Sequence, residues 1–398
     1  MTLKALVVGG GIGGLTAALC LVREGIQVVL LEQADAFHQV GAGIQLSPNC
    51  SRVLHHLGLE EPLRERGFLP EGTQFRDYRS GKVIAQSVLG NAVVEQYGAP
   101  YYHIHRGDLL TTLVEAVQTS VDIECHLGQR LASLSLHPDR VCVVCEGGAE
   151  FSADLLIGAD GIHSTVRAEL WGAAAPDFTG NVAWRALVPA AQLPEGMVKP
   201  MSTAWWGPHK HFVHYYVRGG EFVNCVCVVE KKGWEVESWT EPGAYAELKA
   251  DFRGWHDEIQ ALIDAADRAS LFKWALFDRP PMTAWSRGRA SLLGDACHPT
   301  LPFMAQGAAM AIEDGAVLAG CLKAQPDVPA ALLRYESLRQ ARTAAVQTGS
   351  RRNAKIFHLS GWQAWARNRA ARRAGGHTMD RLFRYDALSQ VDPVKPGS

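Results

Sequence analysis

The chain has 398 residues, of which 47% are hydrophobic and 20% are charged, enough for two or three domains around a large buried core. This composition excludes a disordered chain, a coiled coil and a small disulfide scaffold. The formal net charge of −2 gives no reason to expect a nucleic acid or a membrane surface as a partner.

A βαβ unit opens the chain. An apolar strand over 3–8 is followed by a glycine loop and a helix over about 15–24, and a second buried strand covers 27–31. Such a unit predicts a parallel sheet with a right-handed crossover. The next expected elements are a helix from Pro48, strands and turns over 70–100, a helix over 108–118, a strand over 121–126 and a hairpin over 131–151.

The pattern changes in the middle of the chain. Between about 178 and 280, aromatic residues alternate with period 2, which is typical of a mostly antiparallel sheet with one covered face. One helix is expected there, over 243–265. An apolar strand near 291–295 has the same strand-and-turn pattern as the first part of the chain, and helices follow over 306–322 and 329–357. The first domain is therefore predicted to be discontinuous, with the aromatic sheet inserted into it.

A glycine-rich motif links the first strand to the first helix. Gly9, Gly11 and Gly14 have the spacing of a dinucleotide fingerprint, which permits a tight turn, close approach of a pyrophosphate and close helix–strand packing. The helix N-terminus offers free N–H groups to phosphate oxygens. Glu32 ends the second strand, where an acid can bind a ribose. The predicted cofactor-binding residues here are Gly9, Gly11, Gly13, Gly14, Glu32 and Gln33. This motif alone does not decide whether the bound cofactor is FAD or NAD(P).

Two further strand ends favour a flavin. Asp160 follows one buried apolar strand, Asp295 follows another, and a helix begins near Gly307. A carboxylate at a strand end suits the hydroxyls of a ribityl chain, and a helix N-terminus suits the anionic reduced ring. Each aspartate, taken alone, is equally well explained as an ordinary helix cap.

With these motifs in place, the chain resembles the class A, single-component FAD-dependent aromatic hydroxylases over about residues 4–355. It is most similar to the branch of salicylate hydroxylases, 3-hydroxybenzoate 6-hydroxylases and 6-hydroxynicotinate 3-monooxygenases. The motifs that carry the resemblance are 9–14, Glu32, 41–44, 105–109, 160–161 and 294–299.

The expected fold is α/β, with a Rossmann-like FAD-binding domain that starts with the βαβ unit, an inserted, mostly antiparallel β-sheet substrate domain, and C-terminal helices. The first part of the FAD-binding domain is predicted over 1–177, and it includes substrate-domain strands near 70–100. The substrate domain is predicted over 178–280. The chain then returns to the FAD-binding domain and forms the long helix over 281–360, and an Arg-rich tail covers 361–398. The tail is interpreted as a solvated helical face or a loosely held end.

The resemblance also implies roles for single residues. Arg106 would contact the FAD phosphates or ribityl chain, and Asp295 the ribityl chain. Gly307 and Ala308 would contact the flavin ring, and Asp160 would help to hold FAD and transient NADH or NADPH. The class reduces FAD with NAD(P)H, forms a C4a-hydroperoxide with O₂ and transfers oxygen to an electron-rich ring. It has no separate NAD(P)H domain, which agrees with the single fingerprint.

A histidine-rich strand over 208–216 supplies the candidate base. His211 and Tyr215 share one face of this strand and match positions that the family uses for substrate binding and deprotonation. An imidazole titrates near neutral pH, and a phenol that loses its proton becomes a better nucleophile. His209 and His214 are interpreted as packed or exposed side chains without a catalytic role.

Three candidate substrate-binding residues depart from the relatives' pattern. Gln45 and Phe303 stand where hydroxynicotinate-type enzymes carry histidine, and Pro302 replaces a glutamine of the 3-hydroxybenzoate enzymes. The apolar wall over 301–303 is compatible with a benzene ring. No arginine can be identified from the sequence as an anchor for a substrate carboxylate.

We therefore expect a FAD- and NAD(P)H-dependent monooxygenase acting with O₂ on a small aromatic acid that already bears a hydroxyl, led by salicylate or another hydroxybenzoate. The alternatives are a hydroxylated pyridine carboxylate as substrate, a flavin oxidase or dehydrogenase without oxygen insertion, and a non-catalytic flavin sensor. Cys142 and Cys145 form an isolated pair, so no metal site is predicted. Scattered cysteines and the lack of a membrane-spanning apolar run predict a reduced, cytoplasmic protein; a homodimer is left open.

Overall fold

The computed structural model describes residues 2–37, 42–231, 233–236, 241–374 and 379–391, so Gly41 of the 41–44 motif and the end of the tail lie outside the described residues. The strands are β1 (Lys4–Val8), β2 (Gln27–Leu31), β3 (Gly43–Leu46), β4 (Gly72–Asp77), β5 (Val83–Val88), β6 (Tyr102–His105), β7 (Ile123–His126), β8 (Leu131–Leu136), β9 (Val141–Cys145), β10 (Glu150–Ala153), β11 (Leu155–Gly158), β12 (Asp177–Pro189), β13 (Met201–Gly207), β14 (Lys210–Val217), β15 (Phe222–Glu230), β16 (Phe272–Asp278), β17 (Ser286–Arg287) and β18 (Ala290–Leu292).

The helices are α1 (Ile12–Arg23), α2 (Pro48–His56), α3 (Glu60–Arg66), α4 (Asn91–Tyr97), α5 (Arg106–Gln118), α6 (Thr165–Trp171), α7 (Tyr245–Asp251), α8 (Asp257–Asp264), α9 (Gly307–Ala324), α10 (Val328–Phe357), α11 (Gly361–Ala374) and α12 (Asp380–Phe383). Within the described part of the chain, none of the helices combines the length and the apolar character that crossing a bilayer requires.

The first sheet has six strands in the order β17–β18–β11–β1–β2–β7, and all neighbours are parallel except β17 and β18. The apolar side chains of β1, near the middle of this sheet, are completely buried: Ala5, Leu6 and Val7 have no exposed surface. Helix α9 packs very closely against α1 at Gly315. A side chain at this position would not fit well, because its Cβ would lie only 3.1 Å from the Ala17 backbone. The predicted Rossmann-like architecture with its βαβ start is confirmed.

The second sheet has seven strands in the order β16–β12–β15–β14–β13–β4–β5, antiparallel throughout except for the parallel pair β13 and β4. Its outer face is covered by α7 and α8, where Trp184, Trp205 and Phe212 form a buried cluster with residues of both helices. The residues that alternate with this cluster form the inner face, on which His211 and Tyr215 lie.

Two predicted elements differ in the structure. The single helix expected over 243–265 is two helices, because the chain turns at Gly254, where φ is +76°, and Phe252 enters the core of the outer face. The segment 70–100, expected to hold only strands and turns, also contains α4, which buries Val93. Both differences come from tertiary packing of short segments, for which local periodicity gives little signal.

The Arg-rich tail contacts the rest of the protein through Arg367 and through two buried apolar residues near its end. Arg367 of α11 lies over the Trp206 ring at 4.7 Å and donates a hydrogen bond to the carbonyl of Phe357, the last residue of α10. Further along, Leu382 and Phe383 are buried. Of the two interpretations, a solvated helical face holds for α11, since none of its described residues is buried, whereas a loosely held end is wrong for 379–391, where Leu382 and Phe383 dock on the protein.

A buried ionic cluster joins α9 to α10. The Asp314 carboxylate accepts a hydrogen bond from Arg339 Nε at 2.7 Å and lies 2.6 Å from His298 Nε2. Burial raises the pKa of the Asp314 carboxyl, but His298 and Arg339 outweigh burial and lower it to about 2. The cluster therefore keeps Asp314 ionised down to strongly acidic pH.

Acid is expected to remove this contribution to stability. The ordinary carboxyl pKa is 3.8 and the folded one about 2, so the contribution is complete above the ordinary value and is lost as the pH falls towards 2. Its size is roughly 2 kcal/mol, from 1.36 kcal/mol per pKa unit. In urea unfolding at neutral and at acidic pH, the Asp314→Asn variant should lose less stability on acidification than the wild type. Equal losses would contradict this expectation.

Candidate active site

Three sequence motifs meet at one edge of the first sheet. The glycine motif follows β1, Asp160 follows β11, and Asp295 follows β18, and these strands are neighbours. The carboxyl ends of parallel strands face the same crevice, which is where α/β sheets bind ligands. The structure thus brings together residues that the sequence predicted one motif at a time.

Three glycines of the loop, Gly9, Gly13 and Gly14, are required by the packing of the protein, whereas Gly11 is not. Gly9 has a φ of +110°, and a Cβ there would overlap the Ala159 carbonyl; a Cβ at Gly14 would overlap the Gly9 carbonyl oxygen. A Cβ at Gly13 would lie 2.8 Å from the Leu293 side chain. At Gly11, the N-cap of α1, a Cβ would meet no protein atom within 4 Å. Gly11 therefore borders open space at a helix N-terminus, where a phosphate fits.

Glu32 is fixed beside this loop. Its Oε2 accepts a hydrogen bond from the Gly10 N–H at 2.6 Å, and its Oε1 accepts one from the Ala34 N–H at 2.9 Å. A carboxylate has further lone pairs, so these bonds orient Glu32 and still leave acceptor capacity for a ribose hydroxyl. Gln33, the next residue, is exposed.

Asp160 helps to start a helix. Its Oδ1 accepts a hydrogen bond from Ser164 Oγ at 2.5 Å, and its Oδ2 accepts one from the Val166 N–H at 3.1 Å, at the N-terminus of α6. Burial raises the pKa of its carboxyl, which these hydrogen bonds oppose. The structure thus gives Asp160 the capping role, and its contact with a cofactor stays a prediction.

The opposite part of the crevice carries Asp295, Arg106 and the start of α9. Asp295 keeps an exposed surface. Partial desolvation by the surrounding protein raises the pKa of its carboxyl, and the positive charges of His298 and Arg106 oppose this rise. Arg106 is the first residue of α5. Gly307 and Ala308 form the first turn of α9, and both are half-buried. A cation, a carboxylate and a helix N-terminus therefore surround this part of the crevice.

His211 lies where the inner face meets the 301–303 wall. It is 3% exposed, and its ring centroid lies 5.1 Å from that of Phe303 and 5.4 Å from that of Phe357. Pro302, beside Phe303, is exposed. The imidazole is therefore enclosed by aromatic rings on one side.

Tyr215 belongs to a second group of side chains on the same face. Its ring lies 4.5 Å from the His103 ring, and burial raises the pKa of its phenol. Nearby, Gln45 accepts a hydrogen bond from Tyr101 at 2.6 Å and donates one to Ser202 at 3.0 Å. The phenol of Tyr215 thus keeps its proton at neutral pH and remains a hydrogen-bond donor.

Asn224 points to a polar ligand at this site. Its Oδ1 accepts a hydrogen bond from the Gly43 N–H at 2.7 Å, whereas its buried Nδ2 has no partner among the described residues. A Cβ at Gly43 would come within 2.7 Å of the Tyr215 ring, so the backbone here is packed as closely as it can be. Buried polar atoms in folded proteins are normally paired, and a bound molecule would supply the missing partner.

Besides Asn224, sequence reasoning missed two further residues of the site. Arg185 lies on the inner face, is 6% exposed, and places its guanidinium 4.5 Å from the Trp274 ring. Burial lowers its pKa to about 9, with a further decrease from Arg106. His358, just after α10, lies against His211. A lone arginine in an apolar strand was a visible signal; His358 had none, because only the fold brings it to the sheet.

Comparison with known proteins identifies the family. The family model described as FAD binding domain matches residues 2–350. The 6-hydroxynicotinate 3-monooxygenase of Pseudomonas fluorescens is 40% identical over 364 residues, covering 90% of this chain and 91% of that protein. The 3-hydroxybenzoate 6-hydroxylase of Polaromonas naphthalenivorans (strain CJ2) is 38% identical over 387 residues, covering 97% and 94%. The crystal structure of Klebsiella pneumoniae HpxO complexed with FAD and uric acid is 28% identical with a TM-score of 0.85, covering 98% and 96%.

The chain belongs to the FAD-dependent aromatic hydroxylases, the class A flavoprotein monooxygenases. It is a FAD-dependent aromatic monooxygenase that uses NAD(P)H and O₂. The crevice fits FAD on structural grounds as well, because Gly11 borders open space at a helix N-terminus and the Glu32 carboxylate is fixed beside the same loop.

Proposed function

We propose that this enzyme hydroxylates a small aromatic acid of the hydroxybenzoate type, which already bears a ring hydroxyl. The observation that carries the proposal is the presence of His211, Tyr215 and Arg185 on the same inner face. A neutral imidazole suits the ring hydroxyl as a base, and a guanidinium suits the carboxylate. The 38% identity to a 3-hydroxybenzoate 6-hydroxylase supports the same substrate class.

In this proposal the crevice would hold FAD. The glycine loop and Glu32 would hold its pyrophosphate and ribose, and Arg106, Asp295 and the Gly307–Ala308 turn would hold the ribityl chain and the flavin ring. When bound, the cofactor would supply the redox chemistry that uses NAD(P)H and O₂. The protein's own residues bind the acid, take its proton and exclude water.

His211 takes the proton of the ring hydroxyl. Burial lowers its pKa well below the ordinary value of 6.5, and His358 adds to the decrease, so the imidazole does not titrate near neutral pH as the sequence suggested. It is neutral at pH 7, and a proton that it takes up must pass on to another acceptor. Tyr215 keeps its proton and donates a hydrogen bond to the resulting oxyanion. The ionised ring is more electron-rich, which favours attack on an electrophilic oxygen. Phe303 and Phe357 keep water from this face of the site.

Arg185 binds the carboxylate. Its guanidinium is buried next to the positive charge of Arg106, and an anionic ligand would stabilise both cations. The planar guanidinium can also pair with both oxygens of a carboxylate. This places the acid group of the substrate two strands away from Tyr215 on the same sheet.

Replacing Arg185 by glutamine should separate acids from neutral phenols. We expect Arg185→Gln to raise the Kd of the acid about 10- to 150-fold, since a hydrogen bond to a charged group is worth about 1.5–3 kcal/mol. The Kd of the same phenol without its carboxylate should change little. Titration of the flavin absorbance measures both. The exposed Arg268→Gln is the matched control. Equal losses for acid and phenol would contradict the assignment, and a loss of FAD would assign Arg185 to the cofactor.

A second cleft suits the phosphates of NAD(P)H. It has a volume of about 400 Å³ and lies beside the 160–161 motif, lined by His163, Arg167 and Arg279. The hydrogen bonds of Arg167 go to the carbonyl oxygens of Ala296 and Ile162, which do not neutralise its charge. A pyrophosphate would be attracted to this group of cations.

A hydroxylated pyridine carboxylate is the second candidate substrate, favoured by the 40% identity to a 6-hydroxynicotinate 3-monooxygenase. Two positions favour a benzene ring instead, because Gln45 is bonded to Tyr101 and Ser202, and Phe303 is apolar. A panel of hydroxybenzoates, aminohydroxybenzoates and hydroxynicotinates distinguishes the two. We expect hydroxylated product in proportion to NAD(P)H consumed with a benzoate; release of peroxide alone with every acid would reject the class.

The cellular setting that we propose is cytoplasmic, without a nucleic-acid or membrane partner. All nine cysteines are free, as in a reducing compartment, and the net charge is close to zero. Sedimentation of the purified protein would distinguish a monomer from the homodimer that the sequence leaves open.

A further inference from the structure

Four side chains form a continuous hydrogen-bonded chain from the candidate base to the protein surface. His211 Nδ1 lies 2.8 Å from His358 Nε2, and His358 Nδ1 lies 2.9 Å from Glu230 Oε1. The second carboxylate oxygen of Glu230 lies 2.9 Å from His209 Nδ1. Side-chain exposure rises along the chain, from 2% at His358 to 44% at Glu230 and 67% at His209.

The backbone fixes this arrangement. His211 lies in β14, Glu230 ends β15, and His358 follows α10, so three elements meet here. The His209 N–H donates to the His358 carbonyl at 3.0 Å, and the Glu230 N–H donates to the His209 carbonyl at 2.9 Å. His209 has a φ of +58°, which a non-glycine residue rarely adopts. These bonds hold that conformation, and it places the His209 side chain against Glu230.

The outer end of the chain opens into a surface cleft. The cleft has a volume of about 430 Å³ and is lined by His209 and Glu230 together with charged side chains that include Lys231, Asp251 and Arg253. Such a cleft holds water that can exchange protons with an exposed carboxylate or imidazole. The buried end, in contrast, lies among the aromatic rings around His211.

The surroundings of the two buried imidazoles disfavour a positive charge on either of them. Burial lowers the pKa of His358, and His209 and Arg367 lower it further, while Glu230 opposes them. Burial raises the pKa of Glu230, but hydrogen bonds from His209 and His358 outweigh it and the net shift is downward. At neutral pH the chain therefore consists of neutral buried imidazoles leading to an ionised carboxylate, and a lasting positive charge at His211 is unfavourable.

We propose that His358 and Glu230 form a proton relay that carries the substrate's hydroxyl proton from His211 to solvent, with His209 as an exposed contact of Glu230 that the relay does not require. The inference rests on the proposed function of His211 as the base. Because His211 Nδ1 is engaged with His358, its Nε2 takes the proton as the substrate O–H bond breaks.

Each later step moves one proton and no electrons. The Nδ1 proton of His211 passes to His358 Nε2, and the Nδ1 proton of His358 passes to Glu230 Oε1. Solvent, directly or through His209, removes it from the carboxyl. Both imidazoles end neutral in their other tautomers, and the substrate remains as the oxyanion. His358 and Glu230 act through His211 and are therefore positioning residues.

Proton release on substrate binding tests the relay without turnover. FAD-loaded enzyme is mixed with the phenolic acid in the absence of NAD(P)H, a pH indicator reports the released proton, and flavin absorbance gives the Kd. We expect His358→Gln and Glu230→Gln to slow release at least about tenfold, with little change in Kd, because the route to solvent is cut but the base remains. Glu230→Asp should restore part of the rate, and so should added imidazole buffer in Glu230→Gln.

Two further variants complete the design. His209→Gln should change the rate by less than about threefold, because Glu230 already contacts solvent, and the exposed His137→Gln is the matched control with wild-type kinetics. Wild-type release rates in both His358→Gln and Glu230→Gln would overturn the relay while leaving the proposed function intact. A wild-type enzyme that binds the acids without releasing any proton would overturn the proposed base, and the relay with it.

Discussion

Gly11→Ala is expected to leave the apoprotein as stable as the wild type and to weaken FAD binding at least about 100-fold. A Cβ at Gly11 meets no protein atom within 4 Å, and its φ of −78° suits any residue, so folding is not affected. The methyl group would instead enter the space where the pyrophosphate approaches the backbone. A 100-fold loss corresponds to about 2.7 kcal/mol of binding free energy.

Two matched variants make this expectation specific. Gly147→Ala, in a hairpin turn with open space around it, should change neither stability nor FAD affinity. Gly14→Ala should destabilise the apoprotein itself, because its Cβ would overlap the Gly9 carbonyl oxygen. Urea unfolding of the apoproteins and fluorescence titration with FAD measure the two quantities separately. Unchanged FAD affinity in Gly11→Ala would place the pyrophosphate elsewhere.

His211→Gln is expected to lower kcat/KM about 100- to 1,000-fold at neutral pH, which is the usual contribution of a general base. The variant should recover as the pH rises, about tenfold per unit up to the pKa of the substrate hydroxyl, because the ionised substrate no longer needs the base. The wild type, whose imidazole is already neutral at pH 7, should show no such rise. Full coupled turnover by His211→Gln at neutral pH would remove this residue as the base.

The sequence allowed the convergence of its motifs at one edge of the first sheet to be predicted, because each motif is local. The glycine loop, Glu32, Asp160 and Asp295 each follow an apolar strand, and the carboxyl ends of neighbouring parallel strands must converge. The strand period likewise placed His211 and Tyr215 on one face. In both cases a short segment with its own periodicity determines where the side chains go.

The remaining features depend on contacts between distant segments. His358 reaches His211 only because α10 ends against the β13–β14 hairpin, and nothing in the local pattern around 358 indicates this. His209, interpreted from the sequence as packed or exposed, is exposed, yet it also contacts Glu230. The Arg-rich tail was interpreted as a solvated helical face or a loosely held end; α11 is such a face, whereas Leu382 and Phe383 dock the segment that follows it on the protein.

Labelled oxygen tests the central claim most directly, namely that the aromatic acid is oxidised on the inner face with an oxygen atom from O₂. The purified enzyme is supplied with NAD(P)H, ¹⁸O₂ and the acid that the panel identifies, and the product is analysed by mass spectrometry. We predict one ¹⁸O atom per product molecule, formed in proportion to the NAD(P)H consumed. Product without label, or NAD(P)H oxidation that yields only peroxide, would contradict the claim and indicate a flavin oxidase.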